Sequence, residues 1–128
     1  MKVVDSSGWI EYLSDGALAD EYAQHLSPLD GVVTPTVVLF EVYKWVKRER
    51  SEEDALTVAA QLGRTRVVPL SSPIALAAGD LSLAHGLAMA DALVYATAIH
   101  EGVEVVSSDA DFENLPGVLY LRRASEET

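Results

Sequence analysis

The sequence contains no cysteine, so disulfide bonds and thiolate metal sites are both excluded. It also lacks any uninterrupted apolar run approaching the roughly 20 residues that cross a bilayer. The N-terminal stretch MKVVDSSGWI lacks the apolar core of a signal peptide. We therefore expect an intracellular protein of a reducing cytoplasm, with no membrane partner.

Basic residues are scarce, with nine lysines and arginines against twenty acidic residues and a formal net charge of −11. A module that only grips nucleic-acid phosphates is expected to be basic, so the composition disfavours that class. An acidic chain can still act on phosphates through bound divalent cations, or pair with a basic protein partner. Acidity that serves solubility alone also fits, and composition does not separate these three interpretations.

No repeat, low-complexity tract or Pro/Gly-rich linker divides the 128 residues, so we predict a single domain over residues 1–128. The chain has neither a GxxxxGK[ST] nor a GxGxxG loop, which disfavours a nucleotide-binding enzyme. Its three histidines form no metal motif. Each falls near a predicted helix C-terminus, where the helix dipole favours imidazolium: His25, His85 and His100.

Short apolar runs alternate with amphipathic stretches that carry helix-capping signals. We predict strands at 2–4, 32–35, 66–70, 103–108 and 118–121, and helices at 5–13, 18–26, 36–49, 51–63, 71–86 and 90–101. The strands are continuous apolar runs rather than alternating patterns, as a sheet covered on both faces requires. The sequence therefore predicts the α/β class, with a central parallel β-sheet and helices on both faces.

Five acidic residues are expected at one edge of this sheet, because ligands bind beyond the carboxyl ends of parallel strands. Asp5 follows the first strand, and Asp109 and Asp111 follow the fourth. Glu41 lies in the second turn of the helix after strand two. Asp91 opens a helix that is apolar nearly all round and is therefore expected to be buried.

Each acid also has a structural interpretation. Asp5, Asp91 and Asp109 all precede predicted helices, the last of them a short turn or helix through DADFENL, and N-capping explains each of them singly about as well as function does. Glu41, taken alone, is typical of a solvated residue on a helix surface. Capping explains the set less well, because Asp91 and Glu41 lie within the apolar stretches MADALVYA and VVLFEVY, where an unpaired carboxylate is costly.

Carboxylates crowded at one edge repel one another, and a divalent cation offsets that repulsion. Oxygen ligands without thiolate or clustered imidazole select hard cations such as Mg²⁺ or Mn²⁺. Such a site suits phosphodiester hydrolysis, in which the metal orients the phosphate and activates a water. The number of ions is not fixed by the sequence.

Four motifs in order, VVDSSGWIEYL, TPTVVLFEV, MADALVYATAI and VVSSDADF, resemble those of PIN-domain nucleases, particularly the VapC toxins of prokaryotic toxin–antitoxin pairs. The resemblance covers essentially the whole chain and implies a three-layer α/β/α PIN-like fold. Asp5, Glu41, Asp91 and Asp109 correspond to the family's acidic quartet. The remaining matches are Asp111 for an additional, less constant acid, and Ser7 and Ser107 for supporting hydroxyls. Threonine is more usual in the family where Ser107 stands.

The resemblance implies a Mg²⁺- or Mn²⁺-dependent endoribonuclease of the prokaryotic cytoplasm, with Asp5, Asp91, Asp109 and Asp111 as metal ligands. It also implies a homodimer, an RNA substrate, and an antitoxin that often directs a basic residue at the acidic pocket. Two alternatives stay open, namely a PIN-type RNA-processing nuclease outside a toxin pair and a non-catalytic acidic protein-interaction module. A receiver domain is disfavoured, because DSS lacks its paired acids and no lysine follows Val103.

Two basic residues share the helix face of Glu41. Lys44 and Arg48 stand three and seven positions after it, and either can guide an RNA backbone towards the acids. A solvated basic end that favours the helix dipole is at least as good an explanation.

Overall fold

The computed structural model describes residues 1–123, and within them the chain forms five strands and six α-helices. The strands are β1 (Lys2–Val4), β2 (Val32–Pro35), β3 (Arg66–Val68), β4 (Glu104–Ser107) and β5 (Val118–Tyr120). The helices are α1 (Ser6–Leu13), α2 (Ala19–His25), α3 (Thr36–Glu49), α4 (Glu52–Leu62), α5 (Ser72–His85) and α6 (Met89–Glu101). The last five residues of the predicted domain, 124–128, lie outside the described part.

The five strands form one sheet in the order β3-β2-β1-β4-β5, and every pairing is parallel. In the central pair, Val4 lies opposite Val106, which brings the carboxyl ends of β1 and β4 side by side. The parallel sheet predicted from the apolar runs is confirmed.

Both faces of the sheet are covered. Successive strand residues point to opposite faces of the sheet. Val3 and Val4 are nevertheless both fully buried, and Val105 and Val106 are each at most 1% exposed. Helix α6 packs across β1, β2 and β4, and α5 packs on α6. Helices α1 and α3 contact each other. Helix α2 packs on α1, and α4 packs on α3. This is the three-layer α/β/α arrangement that the sequence predicted.

Most predicted limits agree with the structure to within one or two residues, and two differences have a clear physical basis. Strand β3 ends at Val68 instead of residue 70, because Pro69 has no N–H with which to extend the sheet. Helix α6 is not buried all round. Its middle is buried, but Met89 in the first turn is 76% exposed and Ile99 near the end is 54% exposed.

No single helix in residues 1–123 is long and apolar enough to span a membrane. Helices α5 and α6 reach that length and composition only as a pair, which is bent by 117°.

Candidate metal centre

Asp5 lies at the carboxyl end of β1 and is held by three hydrogen bonds. It is the N-cap of α1, where its Oδ1 accepts from the N–H of Gly8 at 2.9 Å. Its Oδ2 accepts from the hydroxyls of Ser107 at 2.6 Å and Ser7 at 2.9 Å. The side chain is nearly inaccessible, and burial raises its pKa despite these hydrogen bonds, with a further increase from the charge of Asp109.

Ser107 joins β1 to the turn that follows β4. Its hydroxyl donates to Asp5 and accepts from the backbone N–H of Asp109 at 3.0 Å. Asp109 in turn caps the 3-10 turn Ala110–Phe112, because its Oδ1 accepts from the N–H of Asp111 at 2.9 Å. The hydrogen bonds thus run without a break from Asp5 to Asp111.

Asp91, Asp109 and Asp111 form a compact group of carboxylates. One oxygen from each lies within 4.8 Å of the others, a separation at which three oxygens can share one cation. Asp91 and Asp109 are partly buried, whereas Asp111 is exposed. Asp91 reaches the group from the first turn of α6, and it does not cap that helix, whose N-cap is Ala88.

The pKa of Asp91 is raised to about 6. Burial is the largest cause, followed by the charges of Asp109 and Asp111 and then those of Asp5 and Glu41. The other four predicted acids therefore all act on Asp91 at this edge of the sheet. Four like charges that disfavour ionisation of a fifth make an environment that a divalent cation stabilises.

Glu41 approaches this edge from α3 and is oriented by α1. Its Oε1 accepts a hydrogen bond from the hydroxyl of Ser6 at 2.8 Å. Glu41 also lines a pocket of about 220 Å³ between the two helices, together with Lys44 and Arg48. The two basic residues predicted to share its face thus lie beside it.

Helix α1 packs closely on Tyr22 and Val4 because glycine occupies position 8. A Cβ added there would lie 2.5 Å from Cε1 of Tyr22 and 2.8 Å from Cγ1 of Val4. Tyr22 is itself anchored, since its hydroxyl donates to the Oγ of Ser108 at 2.8 Å. This packing fixes the start of α1, and with it the N-cap Asp5.

The predicted residues fall into three arrangements. Asp91, Asp109 and Asp111 have oxygens close enough for one ion. Asp5, with Ser7 and Ser107, stands beside that group but is engaged by hydrogen bonds. Glu41, Lys44 and Arg48 lie along the adjoining pocket. Ser6 was missed as a partner of Glu41, because the sequence marks it only as a helix-starting residue and does not show which helix α1 meets.

A family model described as the PIN domain matches residues 2–118. No curated protein matches the chain in a sequence search.

Several solved structures share the fold. The toxin–antitoxin complex from Klebsiella pneumoniae superposes with a TM-score of 0.80 at 22% identity, over 96% of this chain and 100% of that one. VapC20 from Mycobacterium tuberculosis, described as a sarcin–ricin loop cleaving toxin, gives 0.73 at 19% identity over 96% and 100% of the two chains. VapBC2 from Rickettsia felis, bound to a promoter DNA fragment, gives 0.73 at 18% identity over 94% and 97%.

Proposed function

The chain belongs to the PIN domain family, and from that premise we propose that it is a Mg²⁺- or Mn²⁺-dependent endoribonuclease that acts as the toxin of a toxin–antitoxin pair. The observation that carries the proposal is the convergence of Asp91, Asp109 and Asp111 within 4.8 Å, flanked by Asp5 and Glu41. A chain that used these acids only as helix caps would have no reason to bring the non-capping Asp91 to the same point.

The donor set fits a hard divalent cation. Asp91, Asp109 and Asp111 supply three carboxylate oxygens, and no thiolate or imidazole stands among them. Asp5 is the fourth proposed ligand, oriented by Ser7 and Ser107. The bound cation would supply charge compensation at the scissile phosphate and a water of lowered pKa.

The protein's own part is to hold these oxygens in place before the substrate arrives. Ser107 fixes the spacing of Asp5 and Asp109, because its hydroxyl bonds to both. Ser6 holds Glu41 at the rim of the group, where its carboxylate can orient a water for attack on the phosphate. We assign Asp5, Glu41, Asp91 and Asp109 the catalytic roles on this basis.

The toxin role rests on the fold and on charge. The Klebsiella structure is a toxin–antitoxin complex by its description, and VapC20 is described as a toxin. A chain of net charge −11 with a concentrated acidic site is complementary to a basic partner, as an antitoxin that covers the site would be. We propose that the chain forms a homodimer, that it binds such an antitoxin, and that it acts in a prokaryotic cytoplasm.

RNA cleavage tests the proposal. Purified, partner-free protein is incubated with total transfer and ribosomal RNA in Mg²⁺ or Mn²⁺, and in EDTA. We expect discrete fragments that disappear with EDTA and with Asp91→Asn. The matched control is Asp80→Asn, the same change at an exposed position on α5, which should cleave as the wild type does.

Two results would contradict it. Cleavage by Asp91→Asn at the wild-type rate would show that the acidic group takes no part in the reaction. No cleavage, together with no rise in melting temperature on adding Mg²⁺ or Mn²⁺, would favour an acidic interaction module instead.

The toxin role has its own test, since induced expression should arrest bacterial growth for the wild type but not for Asp91→Asn.

A further inference from the structure

The pocket between α1 and α3, here called the α1–α3 pocket, adjoins the carboxylate group but has a different character. It encloses about 220 Å³ and is lined by Ile10, Phe40, Glu41, Lys44, Trp45 and Arg48. Apolar and aromatic side chains thus stand beside two cations and one acid. That combination matches a ligand with a flat apolar part and a negative charge.

Among the described residues, Lys44 forms no ion pair, unlike the next two basic residues of α3. Within residues 1–123 it has no carboxylate within 4 Å, whereas Lys47 pairs with Glu52 and Arg48 with Glu49. Its Nζ lies instead 5.6 Å from the centre of the Phe40 ring. A lysine without an ion pair among the described residues is available to an external anion.

Phe40 is an aromatic residue left on the surface. It is 61% exposed, on the turn of α3 preceding Lys44 and directly before Glu41 in sequence. An exposed aromatic face is a platform on which nucleic-acid bases stack, with about 1–3 kcal/mol per base in known cases. The base must be unpaired, because bases within a duplex are already stacked on each other.

The pocket shares Glu41 with the proposed cleavage site. Glu41 lines it, and the charge of Glu41 acts on Asp91. A nucleotide held at Phe40 and Lys44 would therefore place the neighbouring part of its strand at the carboxylates.

We propose that Phe40 and Lys44 form a nucleotide subsite for single-stranded RNA, in which one unpaired base stacks on Phe40 and an adjacent phosphate pairs with Lys44. The inference rests on the proposed function and names how that site takes its substrate. A second copy of the chain is a poorer occupant, because it brings a further charge of −11 towards Glu41. An apolar peptide would leave Lys44 without a partner.

The test measures RNA binding apart from cleavage. A fluorescein-labelled 2′-O-methyl phosphorothioate oligoadenylate of about 12 nucleotides, which resists hydrolysis, is titrated in Mg²⁺ and followed by anisotropy. We expect Phe40→Leu to weaken binding about 5- to 150-fold, since it keeps an apolar side chain but removes the ring. Phe40→Trp should bind at least as tightly as the wild type.

Lys44→Gln should weaken binding and lower the slope of log affinity against log salt by about 1. Lys47→Gln, on the same helix but outside the pocket, is the control for charge. Leu56→Ala, at an α4 position that is 58% exposed, is the control for loss of surface apolar area. Both controls should bind as the wild type does.

Each contrary result has a separate meaning. If the wild type cleaves RNA while Phe40→Leu and Lys44→Gln bind normally, the subsite is overturned and the proposed function stands. If the wild type neither binds nor cleaves RNA, both fall. If Phe40→Leu leaves RNA affinity unchanged but converts a dimer to a monomer in sedimentation, a second copy covers this face and the subsite is overturned. Equal affinity for the same strand in a duplex would also overturn it.

Discussion

Ser107 connects the two aspartates that follow the central strands. Its hydroxyl is fully buried, donates to Asp5 and accepts from the N–H of Asp109. Ser107→Ala leaves both groups without this partner, and a buried unsatisfied polar group costs about 1–3 kcal/mol. We expect a loss of that order in urea unfolding and at least a tenfold drop in RNA cleavage (about 1.4 kcal/mol). Ser107→Thr, which keeps the hydroxyl, should restore cleavage, and failure to do so would contradict this role.

Asp91 should make the metal-free protein more stable as the pH falls towards 5. Its pKa is raised from 3.8 to about 6, so the folded state binds the proton more tightly than the unfolded chain. This contribution is present below about pH 4 and is lost as the pH rises through about 6. Melting temperatures in EDTA at about pH 5 and about pH 7 measure it.

Asp91→Asn is the control for this pH dependence. Both proteins share the general decrease in charge repulsion at lower pH, so only the difference between them reports on Asp91. We expect a smaller change in melting temperature for Asp91→Asn, and a larger stabilisation of the wild type by Mg²⁺ at about pH 7 than at about pH 5. Identical pH profiles for the two proteins would mean that Asp91 is not crowded by the other acids.

At the residue scale, the sequence predicted position better than partnership. The rule that strand ends share an edge brought Asp5 and Asp109 together, and N-capping holds for both of them. The bond from Ser6 to Glu41 spans 35 residues and depends on how α1 meets α3, which no local pattern encodes. His25 was wrongly expected to favour the charged form, because burial and the charge of Lys2 lower its pKa.

At the scale of elements, α1 depends on the close approach of Gly8 to Tyr22 and Val4. Gly8→Ala inserts a methyl group where there is no room, and such overpacking typically costs about 1–3 kcal/mol. The matched control is Gly79→Ala on α5, where nothing lies within 4 Å of an added Cβ. There, alanine should stabilise the helix by about 0.5–1 kcal/mol. Urea unfolding measures both, and equal effects would contradict the packing of α1.

Helix limits were largely predictable, because the capping residues can be recognised from their residue types. Ser51 and Ser71 accept from the N–H groups of Asp54 and Ile74, and Gly102 ends α6 in the left-handed conformation at φ 69°. Burial around α6 was less predictable. Its all-round apolar pattern does not reveal that the sheet and α5 cover the middle of the helix while Met89 and Ile99 stay exposed.

At the scale of the whole molecule, the charge is divided unevenly. Five acids converge at the sheet edge, while Lys44, Lys47, Arg48 and Arg50 gather at the end of α3. The resulting site pairs a concentrated negative group with a basic helix next to it. That division would allow a chain of net charge −11 to take an RNA strand as proposed, with a cation at the carboxylates and Lys44 on α3 each contacting phosphate.

The central claim is that the acids at the sheet edge bind a divalent cation, and Mn²⁺ titration followed by electron paramagnetic resonance tests it most directly. Free Mn²⁺ is measured in titrations of the wild type, Asp91→Asn and the control Asp80→Asn, whose changed residue lies outside the carboxylate group. The structure predicts a tight site in the wild type and Asp80→Asn that is weakened at least tenfold in Asp91→Asn (about 1.4 kcal/mol). Equal binding by all three proteins, or none by the wild type, would show that these carboxylates do not form a metal centre.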